Sequence, residues 1–242
     1  MFIFVMIQLL IALSFLVLGL VIRIKKAYGL ISGFSNRPLE EQQQLIDLGL
    51  PQKTGALLIA TAAGMLLLLP MSFTSFSYTL EIQFGFMLIF LLGGMIYLSK
   101  FEIKSKRKRS FMISTSLFIL VNSFVSVLYF LGTKDYDLLI TDNQFEVTGF
   151  YGDEWPLQDV QKIKLLDEMP NVSRKENAFA VATIAKGYFS VDGYGSSLLF
   201  LHKNVSPYLC IKLPDKTIFI NAKTAAQTRE WYEELTNRIA GS

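Results

Sequence analysis

The segment "SKFEIKSKRKRSFMISTSLF", residues Ser99–Phe118, concentrates positive charge between two strongly apolar stretches. Six of its first eleven residues are Lys or Arg, whereas Leu, Ile, Phe and Val dominate the sequence on both sides. Three roles are open to such a run: a nucleic-acid patch, a tail that binds a partner, or a signal that sets how the chain crosses a membrane. The rest of the sequence decides among them.

The composition indicates a membrane protein with two dissimilar parts. The chain has 242 residues, of which 52% are hydrophobic, and its mean hydropathy of +0.40 is too high for an ordinary soluble domain. Residues 1–133 carry eleven Lys or Arg and five Asp or Glu, whereas residues 134–242 carry twelve and fifteen. A slightly acidic second part argues against nucleic-acid binding. We therefore predict a transmembrane domain over 1–133, with a cytoplasmic loop at 23–53, and a separate domain over 134–242.

Four apolar segments approach the length of about 20 residues that a helix needs to cross a membrane. The alternative for each, most open for the short third segment, is a buried helix of a soluble core. A cleaved signal peptide is a further alternative for the first, but its basic residues follow the apolar run instead of preceding it. We expect an α-helical transmembrane bundle of four spans: Phe2–Ile22, Thr54–Phe73, Phe84–Leu98 (extending back toward Leu80) and Phe111–Leu131.

The basic residues predict the orientation of these spans, because Lys and Arg near span ends remain in the cytoplasm. They occur in the first and third connections, whereas the second, Met71–Gln83, contains none. The N-terminus and everything after Leu131 are then extracytoplasmic; a cytoplasmic second domain is the alternative. The lipid bilayer is itself a partner, and five residues are candidate head-group contacts: Lys104, Lys106, Arg107, Lys108 and Arg109.

The predicted spans lack the groups that transport chemistry requires. None has an Asp, Glu, Lys, Arg or His near its centre, where proton relays and ion-coupled transporters place them. Gly55, Gly64 and the Gly93–Gly94 pair permit close helix packing. These observations favour a compact helical bundle over a transporter.

The first connection contains a second helical pattern over Pro38–Leu48, with acidic residues in its first turn and Asn36 or Ser35 as a cap. Its sequence, "YGLISGFSNRPLEEQQQLIDLGLPQKTGALLI", resembles the loop and second span of a small bacterial module of unknown function with three spans. That resemblance covers about residues 1–100 and implies a membrane location. Similar modules often precede a bacterial pleckstrin-homology (PH)-like domain. The loop is also similar to one in bacterial immunity proteins that act against membrane-active peptides.

After Tyr136, short alternating runs predict seven or eight antiparallel strands. Thr224 and Gln227 have the spacing of a capping box at the start of a final helix. That helix places Trp231, Leu235 and Ile239 on one face, where they would plug an open barrel.

This order of strands and helix resembles PH domains, and three segments resemble a bacterial PH-like family: "GFYGDEWPLQDVQKIKLLDEMP" (Gly149–Pro170), "KGYF" (Lys186–Phe189) and "IFINAKT" (Ile218–Thr224). The resemblance implies an all-β PH-like barrel with a C-terminal capping helix. One departure lies in "RKENAF", where Ala178 stands at a turn position at which the resemblance implies Gly.

The sequence offers no catalytic constellation. A nucleophilic site would have to use His202 or Cys210, the single histidine and single cysteine, and we expect the first at the surface end of a strand and the second in the core. We therefore expect no enzyme activity, no cofactor and no metal. The loops comparable to those that hold phosphoinositides in PH domains are acidic, so that ligand is disfavoured.

The function favoured by these features is binding of a protein partner by the PH-like domain, with Tyr151, Trp155 and Tyr188 as candidate contacts. An exposed strand edge that accepts a partner's strand is one form of such binding. Two alternatives remain open: an immunity or envelope-stress factor against membrane-active peptides, and an accessory subunit of a transporter or membrane enzyme.

Overall fold

The computed structural model describes residues 2–74, 76–181 and 183–241. The chain divides into two compact units, Met1–Ser126 and Val127–Ser242, which we call the helical unit and the β unit. The division lies seven residues before the predicted boundary at 133/134, because the last turns of the long fifth helix are packed with the β unit's own residues: a Cβ added at Gly132 would lie 2.3 Å from the Phe179 ring.

Among the described residues, four helices are long and apolar enough to cross a membrane, which agrees with the predicted number of spans. A short helix interrupts the first connection, as expected. The five helices up to the β unit are α1 (Phe2–Ile24), α2 (Leu39–Asp47), α3 (Leu50–Leu68), α4 (Thr79–Leu98) and α5 (Lys104–Thr133).

The start of α5 corrects the prediction that the basic run forms a loop. The helix begins at Lys104, seven residues before the predicted span at Phe111. Lys and Arg are good helix formers, and no Gly or Pro separates the basic run from the apolar one. The helix therefore extends through the charged segment.

Helix α2 also begins differently from the prediction. Pro38 occupies the N-cap position, with φ −53° and ψ 147°, and no side chain caps the helix. Instead the Gln42 side chain donates a hydrogen bond to the Arg37 carbonyl at 2.8 Å. Gly49, with a φ of +78°, ends this segment and starts α3.

Small residues bring the apolar helices into close contact. Helix α3 packs against both α1 and α4. A Cβ added at Gly19 would lie 2.7 Å from the Gly55 carbonyl oxygen, and one at Gly64 would lie 2.2 Å from the Phe86 ring. In a membrane such backbone proximity provides the van der Waals contact that holds helices together.

Helix α5 has a different environment from the other three. Gly132 is its only buried residue among those that the structure describes. Leu120 and Phe124 are 68% and 63% exposed. An apolar surface this continuous is unfavourable in water, and it is consistent with a helix that faces lipid.

In the described part of the β unit, nine strands form two sheets and are followed by helix α6 (Ala225–Gly241). The smaller sheet has the order β1-β2-β3, and the larger has the order β4-β8-β9-β7-β6-β5. The strands are β1 (Leu138–Ile140), β2 (Gln144–Val147), β3 (Asp153–Pro156), β4 (Lys162–Leu166), β5 (Val172–Ala180), β6 (Ile184–Val191), β7 (Gly195–His202), β8 (Tyr208–Lys212) and β9 (Thr217–Ile220).

The pairing of β7 with β9 is parallel, which corrects the expectation of a purely antiparallel run. Strand β9 turns back from β8 and lies between β8 and β7. Alternating apolar residues show that a strand has a buried face, but they do not show the direction of its neighbour. The sequence pattern therefore could not distinguish these two arrangements.

Both faces of the large sheet are buried. Leu198 and Phe200 point into a core shared with the small sheet and α6, whereas Leu199 and Leu201 point into a second cluster that includes Cys210. Burial on both sides accounts for the uninterrupted apolar run in β7.

Helix α6 covers the first of these cores. Trp231 and Leu235 are buried in it, and Ile239 packs against it at the edge. The Thr224 hydroxyl accepts a hydrogen bond from the Gln227 backbone N–H at 3.3 Å, as the capping pattern predicts. The three helical positions selected from the sequence thus lie on the face that packs against the sheets.

Asn221, immediately after β9, completes the β7–β9 pairing with its side chain. It is fully buried. Its Oδ1 accepts a hydrogen bond from the His202 N–H at 2.7 Å, and its Nδ2 donates one to the His202 carbonyl at 2.9 Å. Its own carbonyl accepts a hydrogen bond from the Tyr136 hydroxyl at 2.7 Å.

We predict that Asn221→Ala lowers the free energy of unfolding of the β unit by about 2–4 kcal/mol, because it leaves buried backbone groups of His202 without partners. Denaturation followed by tryptophan fluorescence measures this in the full chain, since both tryptophans, Trp155 and Trp231, belong to the β unit. The control is Asn171→Ala, which removes one exposed hydrogen bond to Asp192 and should cost less than about 0.5 kcal/mol. Equal losses in the two variants would contradict the role assigned to Asn221.

Candidate functional site

The structure separates the three aromatic residues predicted to contact a partner. Trp155 is 7% exposed and stacks on Phe145 with ring centroids 5.2 Å apart. It belongs to the core and not to the surface, which corrects its assignment as a partner contact. Strand β3 is only four residues long, too short for its alternation to reveal which side chain points inward.

Tyr151 and Tyr188 are half-buried and lie in different parts of the β unit. Tyr151 is in the turn between β2 and β3, with a φ of +75°, and packs edge-on against Phe150 at 4.8 Å. Tyr188 lies on β6, directly opposite Asn177 of β5. Tyr188 therefore lies on the strand next to the edge strand β5.

Strand β5 is one of the two outermost strands of the large sheet, with β4 at the other end, and it pairs with β6 alone. Its residues from Val172 to Asn177 are all exposed. Its register shifts twice, between Val172 and Arg174 and between Lys175 and Asn177. The backbone edge that faces away from β6 has no strand beside it among the described residues.

The predicted turn at "RKENAF" is part of β5, and the glycine that this region requires is on the neighbouring strand. Ala178 pairs with Gly187, which has a φ of +105°. A Cβ on Gly187 would lie 2.6 Å from the Asn177 carbonyl oxygen and 2.7 Å from the Ala178 Cα. Close approach of the two backbones at the bulge therefore requires glycine at 187 and leaves Ala at 178 acceptable.

A surface depression of about 700 Å³ lies beside this edge. Glu176 accepts a hydrogen bond from Ser196 at 2.7 Å and lies 3.9 Å from Arg174. Lys175 has no ion pair with any described residue. The depression is lined by Arg174, Lys175, Glu176, Asn177, Tyr188 and Ser196.

A second, polar pocket of about 330 Å³ surrounds His202. The His202 ring stacks on Tyr136 at 5.1 Å, and Lys223 pairs with Asp135 at 2.7 Å. Burial, aided by the charge of Lys223, lowers the pKa of His202. His202 is the last residue of β7, as expected, but it is half-buried and not fully at the surface. Sequence spacing gave no sign of the residues around it because they are far apart in the chain.

The same cluster contains a buried cation, Lys186, which is 1% exposed. Its ammonium donates a hydrogen bond to the Lys134 carbonyl and lies 4.9 Å from the Tyr136 ring centroid. Burial lowers the pKa of Lys186. These contacts hold residues 134–136, which follow α5, against strand β6.

The predicted head-group residues occupy the first two turns of α5, where two of them bond to other residues of the helical unit. Lys106 pairs with Glu41 at 2.7 Å, and Arg107 donates hydrogen bonds to the Glu102 carbonyl at 3.3 Å. Lys104, Lys108 and Arg109 are exposed.

An ion pair joins the first and third connections of the helical unit. Arg37 donates two hydrogen bonds to the Glu102 carboxylate, at 2.7 and 2.8 Å, and the Glu102 side chain is only 6% exposed. Burial acts to raise the pKa of Glu102, but the hydrogen bonds from Arg37 and from the Ile103 N–H outweigh it, so the pKa lies below its ordinary value. Glu102 is therefore a carboxylate at neutral pH.

In residues 2–74, 76–181 and 183–241, no three His, Cys, Asp or Glu side chains form a group that could hold a metal ion. Burial raises the pKa of the Cys210 thiol to about 11, as expected for a cysteine in an apolar core.

We predict that Arg37→Gln and Glu102→Gln destabilise the helical unit non-additively, with a coupling energy of about 1–2 kcal/mol in a double-mutant cycle. Thermal unfolding of the purified full chain in detergent measures the coupling. Because the pKa of Glu102 is lowered in the folded state, the coupling is complete above about pH 4.3 and disappears as the pH falls through the folded value. Additive losses at neutral pH would show that the two side chains act independently.

Comparison with known proteins assigns part of the helical unit to a described family model. Residues 9–102 match a domain of unknown function, DUF3784. The match extends from within α1 past the end of α4 and stops before α5, as expected for a three-span module over about residues 1–100. Searches of curated proteins and of solved structures found no match. The chain is thus a membrane protein, similar over residues 9–102 to a family of unknown function.

Proposed function

We propose that this chain is a non-enzymatic protein of the bacterial inner membrane whose PH-like β unit binds an extended segment of a protein partner along β5. The observation that carries the proposal is the open edge of β5, nine residues long. A free strand edge presents unpaired N–H and C=O groups in the spacing that another strand can match.

The side chains of β5 favour a foreign strand over a second copy of β5. Two cations, Arg174 and Lys175, precede Glu176 on this edge, and charged residues on an edge oppose pairing between identical strands. Lys175 attracts an acidic residue on the incoming segment. The depression above Tyr188 accepts one of its side chains, which would provide specificity.

The PH-like assignment is supported by the order of the elements, with strands followed by a helix whose Trp231 and Leu235 enter the core. The nine strands and the parallel β7–β9 pair are departures from the expected barrel. Acidic residues disfavour a phosphoinositide ligand, since Asp142 lies in the turn between β1 and β2, and Asp153 and Glu154 begin β3.

The proposal predicts a protein adduct at β5. A photoreactive phenylalanine analogue at Lys175, introduced into the full chain in native membranes, should give a discrete heavier adduct, whereas the same probe at the exposed Arg229 of α6 should not. Tyr188→Ala should reduce the yield about fivefold or more, because loss of a central aromatic contact costs about 1 kcal/mol or more.

Tyr151→Ala is the matched control, since Tyr151 is equally half-buried but lies away from β5. Its adduct yield should equal that of the parent chain. Adducts of twice the chain's own mass, adducts with lipid alone, or equal yields at Lys175 and Arg229 would overturn the proposal.

We further propose that residues after Thr133 are extracytoplasmic. The Arg37–Glu102 ion pair joins the first and third connections, and the Lys106–Glu41 pair joins the first connection to the start of α5, which supports their lying at the same end of the helical unit. The first connection and the first turns of α5 are basic, so this end would be cytoplasmic, and α5 would carry the chain to the other side.

Alkaline phosphatase fused after Thr133 or after Ser242 should be active in intact cells, because that enzyme folds only outside the cytoplasm. A fusion after Lys53, in the first turn of α3, is the control and should be inactive. A fluorescent cytoplasmic reporter at Ser242 that matures normally would reverse the orientation.

A further inference from the structure

The helical unit contains a cavity of about 420 Å³ at the end where Arg37 and Glu102 pair. Its volume falls in the range of small-molecule and lipid sites. The first connection contributes Phe34, α3 contributes Leu57, and α4 contributes Leu91 and Met95. Most of the wall is therefore apolar.

One side of this cavity is polar and continues into a second depression of about 340 Å³. The two share Arg37, Glu102, Ser110 and Ser114 as lining residues. The second depression adds two cations of α5, Lys106 and Arg109. The combined space thus passes from an apolar interior to a basic, hydroxyl-containing mouth.

Three cations line the mouth, and one of them is not paired with a carboxylate among the described residues. Glu102 neutralises Arg37, and Glu41 neutralises Lys106. Arg109 is exposed and has no ion pair with any described residue. Ser110 and Ser114 are one helical turn apart and line the same depression, so their hydroxyls are placed to donate hydrogen bonds to an anion that Arg109 attracts.

We infer that this space binds one anionic phospholipid, with an acyl chain in the apolar cavity and the phosphate beside Arg109, Ser110 and Ser114. The bilayer that surrounds four apolar helices supplies such a molecule, and its amphiphilic chemistry matches the gradient of the walls. Basic pockets between transmembrane helices are known to select anionic head groups.

This site differs from general attraction between a basic segment and a membrane. General attraction would depend on Lys104, Lys108 and Arg109 alike, since all three are exposed. The cavity predicts that Arg109 matters more than Lys108, because Arg109 lines the mouth and Lys108 does not. The two residues are adjacent and carry equal charge, so they form a matched pair.

The test is native mass spectrometry of the full chain in a mild detergent, titrated with phosphatidylglycerol or phosphatidylcholine. We expect one phosphatidylglycerol to be retained, with at least about fivefold preference over phosphatidylcholine, and Arg109→Gln to weaken it about fivefold. Lys108→Gln should change the affinity less than twofold. Equal losses in the two variants, or equal binding of the two lipids, would overturn the inference.

A second arm tests the acyl chain. Leu91→Trp fills the cavity and should abolish retention, whereas Ile89→Trp, at a position on α4 that is 57% exposed, should not. Inorganic phosphate at millimolar concentration should fail to displace the lipid. Displacement by phosphate, or normal retention in folded Leu91→Trp, would show that the space is not a lipid site, and the Arg109 comparison remains decisive if Leu91→Trp does not fold.

Discussion

The ion pair between Arg37 and Glu102 is the interaction on which the organisation of the helical unit depends. It joins two residues that are 65 positions apart in the chain. Both terminal nitrogens of the Arg37 guanidinium donate hydrogen bonds to the Glu102 carboxylate. Removing one partner would leave a charge in a largely buried position, which is costly. The same pair forms part of the wall between the apolar cavity and its basic mouth, so the arrangement of the helix ends and the proposed lipid site have a common physical basis.

The β unit depends on a comparable connection made by a neutral side chain. The Asn221 side chain forms hydrogen bonds with both backbone groups of His202, and the Asn221 backbone carbonyl accepts one from the Tyr136 hydroxyl. These contacts secure the parallel β7–β9 pair and the segment that leaves α5. With β9 inserted beside β7, strands β6 and β5 are added at the end of the sheet. Strand β5, whose open edge we propose as a partner site, lies at the end of the sheet because it pairs with β6 alone.

Candidate site residues were predictable only in part. Tyr188 could be selected as an aromatic residue near a strand edge, but the same reasoning selected Trp155, which lies in the core. Short strands such as β3 contain too few residues for their pattern to reveal the buried face. The His202 cluster and the Arg109 mouth each combine residues from distant segments, and nothing in local spacing relates them. Glycine at 187 instead of 178 likewise depends on contact between two strands.

By itself, the sequence determined the four apolar helices, the change to strands after Tyr136, and the face of α6 that carries Trp231, Leu235 and Ile239. These properties follow from runs and periods of hydrophobic residues, which act locally along the chain. Tertiary structure alone decided the parallel β7–β9 pair, the burial of Trp155 and the pairing of Arg37 with Glu102. Each of these depends on which distant backbone or charge lies opposite, and hydrophobic pattern carries no information about that neighbour.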